Sequence, residues 1–254
     1  FPYAERRNLI YWSDVTTASP ELMGEAGVNR AQRVAAFKAC ADAFMTLWND
    51  RAATGSQGDD LISMLQRGDS TRDMHTRPTE FLGNILLLIV GGNDTTRNSI
   101  SAGVHALNRW PEEYAKLRAD PSLIPNMVAE FVRWQSPVIH MRRTTREDVE
   151  LAGVRIPAGE KVIMWYLSGN RDEAVFDDAD RVHIDRANAR QHVSFGFGVH
   201  RCMGNRLAEL QLRLLWEEIV ARFEHVEVVG DVVTQPNNFI HGIADLPVVL
   251  HRRA

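Results

Sequence analysis

Between Pro78 and Pro111 the sequence carries no proline, and the stretch opens with a residue suited to the first turn of a helix. One very long helix over about 78–110 is predicted. At roughly 1.5 Å of rise per residue such a helix crosses a whole domain, so the other elements must pack around it. Its interior weakness is Gly91-Gly92, two positions that each cost roughly 1 kcal/mol relative to alanine inside a helix. Such a pair calls for a reason: either a break, with Asp94 or Thr95 capping a second helix, or backbone hydrogen bonds opened to admit a small ligand.

Apolar periodicity supplies further helices. Val34, Phe37, Ala41, Phe44 and Trp48 recur three and four residues apart and place a helix over 29–53, with Cys40 beside the stripe as a small core residue. Residues 111–119 and 124–135 read as shorter helices, the second stopping ahead of Pro137 because the residue before a proline disfavours helical geometry. Leu207, Leu210, Leu214 and Leu215 support a last helix reaching about Phe223. The segments 149–156 and 161–165, joined by Pro157-Ala158-Gly159, read as a strand pair, and 226–250 as strands and turns. The expected fold class is mainly α with small β-sheets.

Composition removes several functions. With 44% hydrophobic residues the chain can bury a substantial core, and a formal net charge of -4 leaves no basic field for nucleic acid. The longest apolar run, around Phe81 to Val90, falls short of the ~20 residues of a membrane-spanning helix, so no span is expected. Two cysteines, Cys40 and Cys202, make no disulfide framework and suit a reducing compartment, the cytoplasm.

The most specific run is Phe195-Gly196-Phe197-Gly198-Val199-His200-Arg201-Cys202-Met203-Gly204. Its glycines allow close approach of backbone and cofactor, and the helix that follows offers N–H groups that favour a thiolate. No Cys-x-x-Cys pair accompanies it, which argues against zinc. The run resembles the F-G-x-G-x-H-x-C-x-G signature of the cytochromes P-450. That resemblance implies the cytochrome P-450 fold, heme b (iron protoporphyrin IX) as cofactor and Cys202 as the thiolate ligand of its iron. Phe195 and Gly196 would lie against the cofactor, with Arg143 and His200 as partners of its propionates.

The resemblance extends to other motifs. Gly91-Gly92-Asn93-Asp94-Thr95-Thr96 is similar to the family's oxygen-binding helix, which makes Asp94 and Thr95 the acid–alcohol pair that relays protons to oxygen. Glu130 and Arg133 match the family's E-x-x-R pair, which is buried and joined by a further arginine, here Arg186. By spacing alone Glu130 and Arg133 read as a surface pair, and Arg186 as a surface arginine. His192 reads as a loop histidine without a special role. Arg190, Arg201 and Arg206 read either as a fringe for an acidic electron donor or as solvated charge.

Four segments, 90–99, 133–137, 164–172 and 205–211, resemble the bacterial alkane-hydroxylase subfamily. This implies terminal hydroxylation of medium-chain n-alkanes with O2, and a ferredoxin with its reductase as electron donors. Fatty-acid omega-hydroxylation and steroid side-chain hydroxylation are the alternatives. Val90, Val138, Ile139, Met141 and Phe239 are the substrate-pocket candidates, or else ordinary core. The sequence opens Phe1-Pro2-Tyr3, so we expect one partial domain over 1–254, the C-terminal part of the family chain. On that expectation the 254 residues alone would hold haem poorly, or bind it without turnover.

Overall fold

The computed structural model describes residues 1–18 and 29–253. The described helices are α1 (Arg6–Thr17), α2 (Arg30–Ala53), α3 (Leu61–Arg67), α4 (Pro78–Arg109), α5 (Pro111–Ala119), α6 (Ile124–Gln135), α7 (Tyr166–Gly169) and α8 (Asn205–Arg222). The strands are β1 (His140–Thr144), β2 (Val149–Leu151), β3 (Val154–Ile156), β4 (Lys161–Trp165), β5 (Phe223–Val228), β6 (Val233–Thr234), β7 (Ile243–Asp245) and β8 (Val248–Arg252). The fold is mainly α with small sheets. Among the described residues no helix is long and apolar enough to cross a membrane.

The helix α4 runs unbroken for 32 residues, so Asp94 and Thr95 lie within it and cap nothing. Neither Gly91 nor Gly92 has an atom within 4 Å of where a Cβ would stand, so no neighbour here demands glycine. The chain divides between Asp94 and Thr95 into two compact units, 1–94 and 95–254.

In the first unit α2 starts on a capping box: Gln32 N–H donates to Asn29 Oδ1 at 2.9 Å and Asn29 N–H to Gln32 Oε1 at 2.7 Å. Its buried stripe is Ala36, Cys40, Phe44 and Trp48, whereas Val34 is exposed. Cys40 therefore belongs to the stripe. These side chains pack with Trp12 and Val15 of α1 and with Phe81, Ile85 and Ile89 of α4.

In the second unit the core joins α4 from Ala102 onward, α5, α6 and α8. Gly103 makes this packing possible, since a Cβ there would stand 2.7 Å from the Phe131 ring and 2.9 Å from that of Trp216. The face of α8 that faces this core is Leu212, Trp216 and Val220, and Leu207, Leu210 and Leu214 are exposed. The four leucines mark the helix as expected, and Leu215 is half-buried.

The strand expectation needs correction as well. Segment 149–156 folds on itself as the β2–β3 hairpin, because Ala152 (φ 50°) and Gly153 (φ 77°) form a two-residue turn. Lys161–Trp165 pairs instead with β1, in the register Met141↔Met164 and Arg143↔Val162. Further on, β5 pairs with β8 and β6 with β7, all antiparallel.

Candidate functional site

The loop before α8 is built on α7. Gly196 has φ +65°, and a Cβ there would meet the Tyr166 hydroxyl at 3.0 Å, so both backbone and space require glycine. Gly196 N–H donates to Val193 O at 2.8 Å, and Cys202 N–H donates to Phe195 O at 2.8 Å, which closes the loop. The Cys202 side chain is exposed, three residues ahead of the first turn of α8. Its counterpart Cys40 is fully buried, and burial pushes that thiol up to about 12. The two thiols therefore differ in kind: Cys40 is packing, and Cys202 is open to a partner.

Arg143 sits half-buried on β1, opposite Val162 of β4, and donates to Arg142 O at 3.0 Å, without a carboxylate partner among the described residues. His200 is exposed beside the cysteine. Among the described residues no three His, Cys, Asp or Glu side chains stand together to hold a bare ion. Cys202 would supply one donor to a metal that brings its others with it. A haem does so, and its two carboxylates suit an uncommitted guanidinium, so the residues fit that group.

Behind the loop lies a buried ion network. Arg133 donates through Nε and Nη2 to the two oxygens of Glu130 at 2.7 and 2.8 Å, and Arg186 Nε donates to the same oxygens at 2.9 and 3.1 Å. His183 N–H adds a bond to Glu130 Oε1 at 3.0 Å. The remaining guanidinium donors go to backbone carbonyls: Arg133 to Asn170, Ala179 and Arg181, and Arg186 to Asp177, Asp178 and Arg181. The surface readings of these three side chains are thereby set aside, because Glu130 and Arg133 are each 0% exposed.

The other candidates are placed as follows. Asp94 is buried and accepts from Thr17 Oγ1 at 3.2 Å, and the Thr95 carbonyl accepts from Ser99 Oγ at 2.8 Å. Ile139 N–H donates to Phe239 O at 2.9 Å and Val138 bridges Ile240, which brings these two segments together next to Met141 of β1. Val90 lies in the first unit. That unit has a cavity of about 530 Å³ lined by Phe44, Leu47, Ile85, Ile89, Gly92 and others, with Val90 not among them.

Two contributors escape sequence reasoning. Asn170 is fully buried and bonded to the base of the cysteine loop, and its position inside Ser168-Gly169-Asn170-Arg171-Asp172 is the only hint. His192 is also buried; its Nδ1 accepts from Ser194 N–H at 3.3 Å and its ring lies 5.2 Å from that of Phe195. Burial first, and then the charges of Arg133, Arg201 and Arg190, push its pKa down to about 4. The folded protein keeps it neutral while the unfolded chain protonates near pH 6.5, so stability is full above that pH and falls toward pH 4. The change is on the order of 3 kcal/mol across this window. Urea midpoints measured at several pH values should show this loss, and His192→Gln should flatten it.

The second unit thus carries an open loop thiol at a helix start, backed by a buried carboxylate–guanidinium network. The family model for cytochrome P-450 matches residues 29–247. The chain belongs to the cytochrome P-450 family. It is 46% identical to the cytochrome P-450-153 of Novosphingobium aromaticivorans, with a TM-score of 0.85 over 99% of this chain and 60% of that one. It is also 48% identical to the linalool 8-monooxygenase of Pseudomonas putida over 67% of this chain and 42% of the relative. The steroid C26-monooxygenase of Mycolicibacterium smegmatis is 36% identical over 96% of this chain and 60% of its own length. The chain thus spans between two fifths and three fifths of these relatives.

Proposed function

We propose that the full-length protein is a haem-thiolate monooxygenase that inserts one atom of dioxygen into an unactivated C–H bond. Cys202 carries this reading: it is an exposed thiol on a loop closed by its own N–H, ahead of a helix. The balance is RH, O2, two electrons and two protons giving ROH and water. When bound, heme b with a thiolate ligand supplies the electron push that favours O–O cleavage. Arg143 and His200 would hold its carboxylates, and Phe195 and Gly196 would let the loop approach it closely. A ferredoxin and its reductase supply the electrons, met by Arg190, Arg201 and Arg206.

Asp94 and Thr95 relay the protons. Buried and held by Thr17, Asp94 is fixed in place, and Thr95 follows it on the same helix. Thr95→Ala is expected to divert at least about half of the electrons into free hydrogen peroxide. Peroxide yield per NADH measures this, and full coupling to product in that variant contradicts the role.

The substrate we favour is a medium-chain n-alkane hydroxylated at its terminal methyl group. Support comes from the four segments that resemble the bacterial alkane-hydroxylase subfamily and from the identity to the cytochrome P-450-153 structure. An alkane offers no polar handle, so Val138, Ile139, Met141 and Phe239 of the second unit select by shape and apolar contact. Identity to the steroid and linalool enzymes favours those substrate classes as the second reading. Product analysis of the full-length protein with octane, laurate, a sterol and linalool separates them. 1-Octanol as the main product is expected, and turnover of the sterol or linalool alone overturns the alkane reading. Haem uptake without any product overturns the enzymatic one.

A further inference from the structure

Asn170 joins three parts of the second unit through its side chain. That side chain is 0% exposed. Its nitrogen donates to Ser136 Oγ and to Ser194 Oγ, each at 2.7 Å, and its oxygen accepts from Val193 N–H at 2.7 Å. The orientation is dictated by its neighbours. A backbone N–H can only face the amide oxygen, and both hydroxyl protons are already given to carbonyls of α6, Ser136 to Arg133 O and Ser194 to Val132 O, each at 2.8 Å. Arg133 O would otherwise face Pro137, which has no N–H, whereas Val132 O also accepts from Ser136 N–H at 3.1 Å.

The backbone of Asn170 extends the same junction. Its carbonyl accepts from Arg133 Nη1 at 2.7 Å, and its N–H donates to Tyr166 O at 2.9 Å. Tyr166 is in turn the ring against which Gly196 lies. From Asn170 to the sulfur-bearing residue the path is short: Val193 and Ser194 lead into Phe195, and the Phe195 carbonyl receives the Cys202 N–H.

We propose that Asn170 is a positioning residue for the thiolate, locking residues 193–195 onto the end of α6 and so fixing where Cys202 presents its sulfur. The proposal rests on the haem-thiolate reading above. Asn170 touches no reacting group, and it acts through the Phe195 carbonyl. An aspartate of the same shape keeps the acceptor for Val193 but has no proton for either hydroxyl oxygen, so two of the three bonds are lost and a charge is buried.

The test uses the full-length, haem-loaded protein and reads the ferrous–CO spectrum, in which the thiolate-type band is resolved from the band of haem without a thiolate. Far-UV circular dichroism monitors the fold. Asn170→Asp is expected to lower the ratio of thiolate to non-thiolate form by about tenfold or more with helix content retained, and Ser194→Ala, which loses one of the bonds, by about threefold. The double variant should fall no further than Asn170→Asp alone, because both residues act on one path. If Asn170→Asp takes up no haem, Ser194→Ala decides by itself. A wild-type band that the variants leave unchanged overturns the proposal alone, whereas a wild-type protein without the band overturns the haem-thiolate reading together with it.

Discussion

Replacing Glu130 with alanine should destabilise the protein by about 3–5 kcal/mol, the largest single-residue loss we expect. The carboxylate receives five hydrogen bonds, two from Arg133, two from Arg186 and one from the His183 backbone. Without it, two buried guanidinium groups remain with only carbonyl partners, and the low local dielectric that made the network strong makes the uncompensated charge costly. Glu130→Gln keeps the shape and part of the hydrogen bonding, so it should fall between. Urea denaturation of the full-length protein measures both. A loss under about 1 kcal/mol for Glu130→Ala would show that the network contributes no more than a surface pair.

Changing Cys202 to alanine should abolish the thiolate-type ferrous–CO band and reduce turnover by at least about a thousandfold, roughly 4 kcal/mol of barrier. Cys40→Ala is the matched control. That thiol is fully buried among Ala36, Phe44 and Trp48, so its loss should cost on the order of 1 kcal/mol of stability and leave the band unchanged. The contrast isolates position: the same atom is packing in one place and a ligand in the other.

Helix boundaries were legible where proline marks them. Pro78, Pro111 and Pro137 frame α4, α5 and α6 as expected, and Asn29 with Gln32 opens α2. The missed helices are α1, whose start has no side-chain cap, the short α3, although Asp60 ahead of it was a usable N-cap sign, and the four-residue α7. Strand pairing was not legible. Whether Lys161–Trp165 joins β1 or β3 depends on contacts between distant segments, and the Ala152-Gly153 turn that decides it lacks the usual asparagine or aspartate. The leucines located α8, and its inner face is set by the fit of Trp216 against Phe131 and Gly103.

For the site, the cysteine loop was readable because its residues lie within ten positions of one another, whereas by spacing Glu130 and Arg133 read as a surface pair and only the family resemblance made them a buried one. The third member, Arg186, was named only through the family resemblance, and the structure brings it to the same carboxylate. Asn170 and His192 remained hidden for a different reason. Their partners are scattered, at Ser136, Val193 and Ser194 for one and Arg133, Arg190 and Arg201 for the other, and only burial turns an ordinary amide and imidazole into fixed parts.

The decisive measurement is the vibrational spectrum of the haem-loaded full-length protein made with natural and with heavy-sulfur cysteine. An iron–sulfur stretch that shifts with the isotope in wild type and in Cys40→Ala, and is missing from Cys202→Ala, is the predicted result. A wild-type spectrum with no isotope-sensitive stretch, showing histidine or water on the iron instead, contradicts the account.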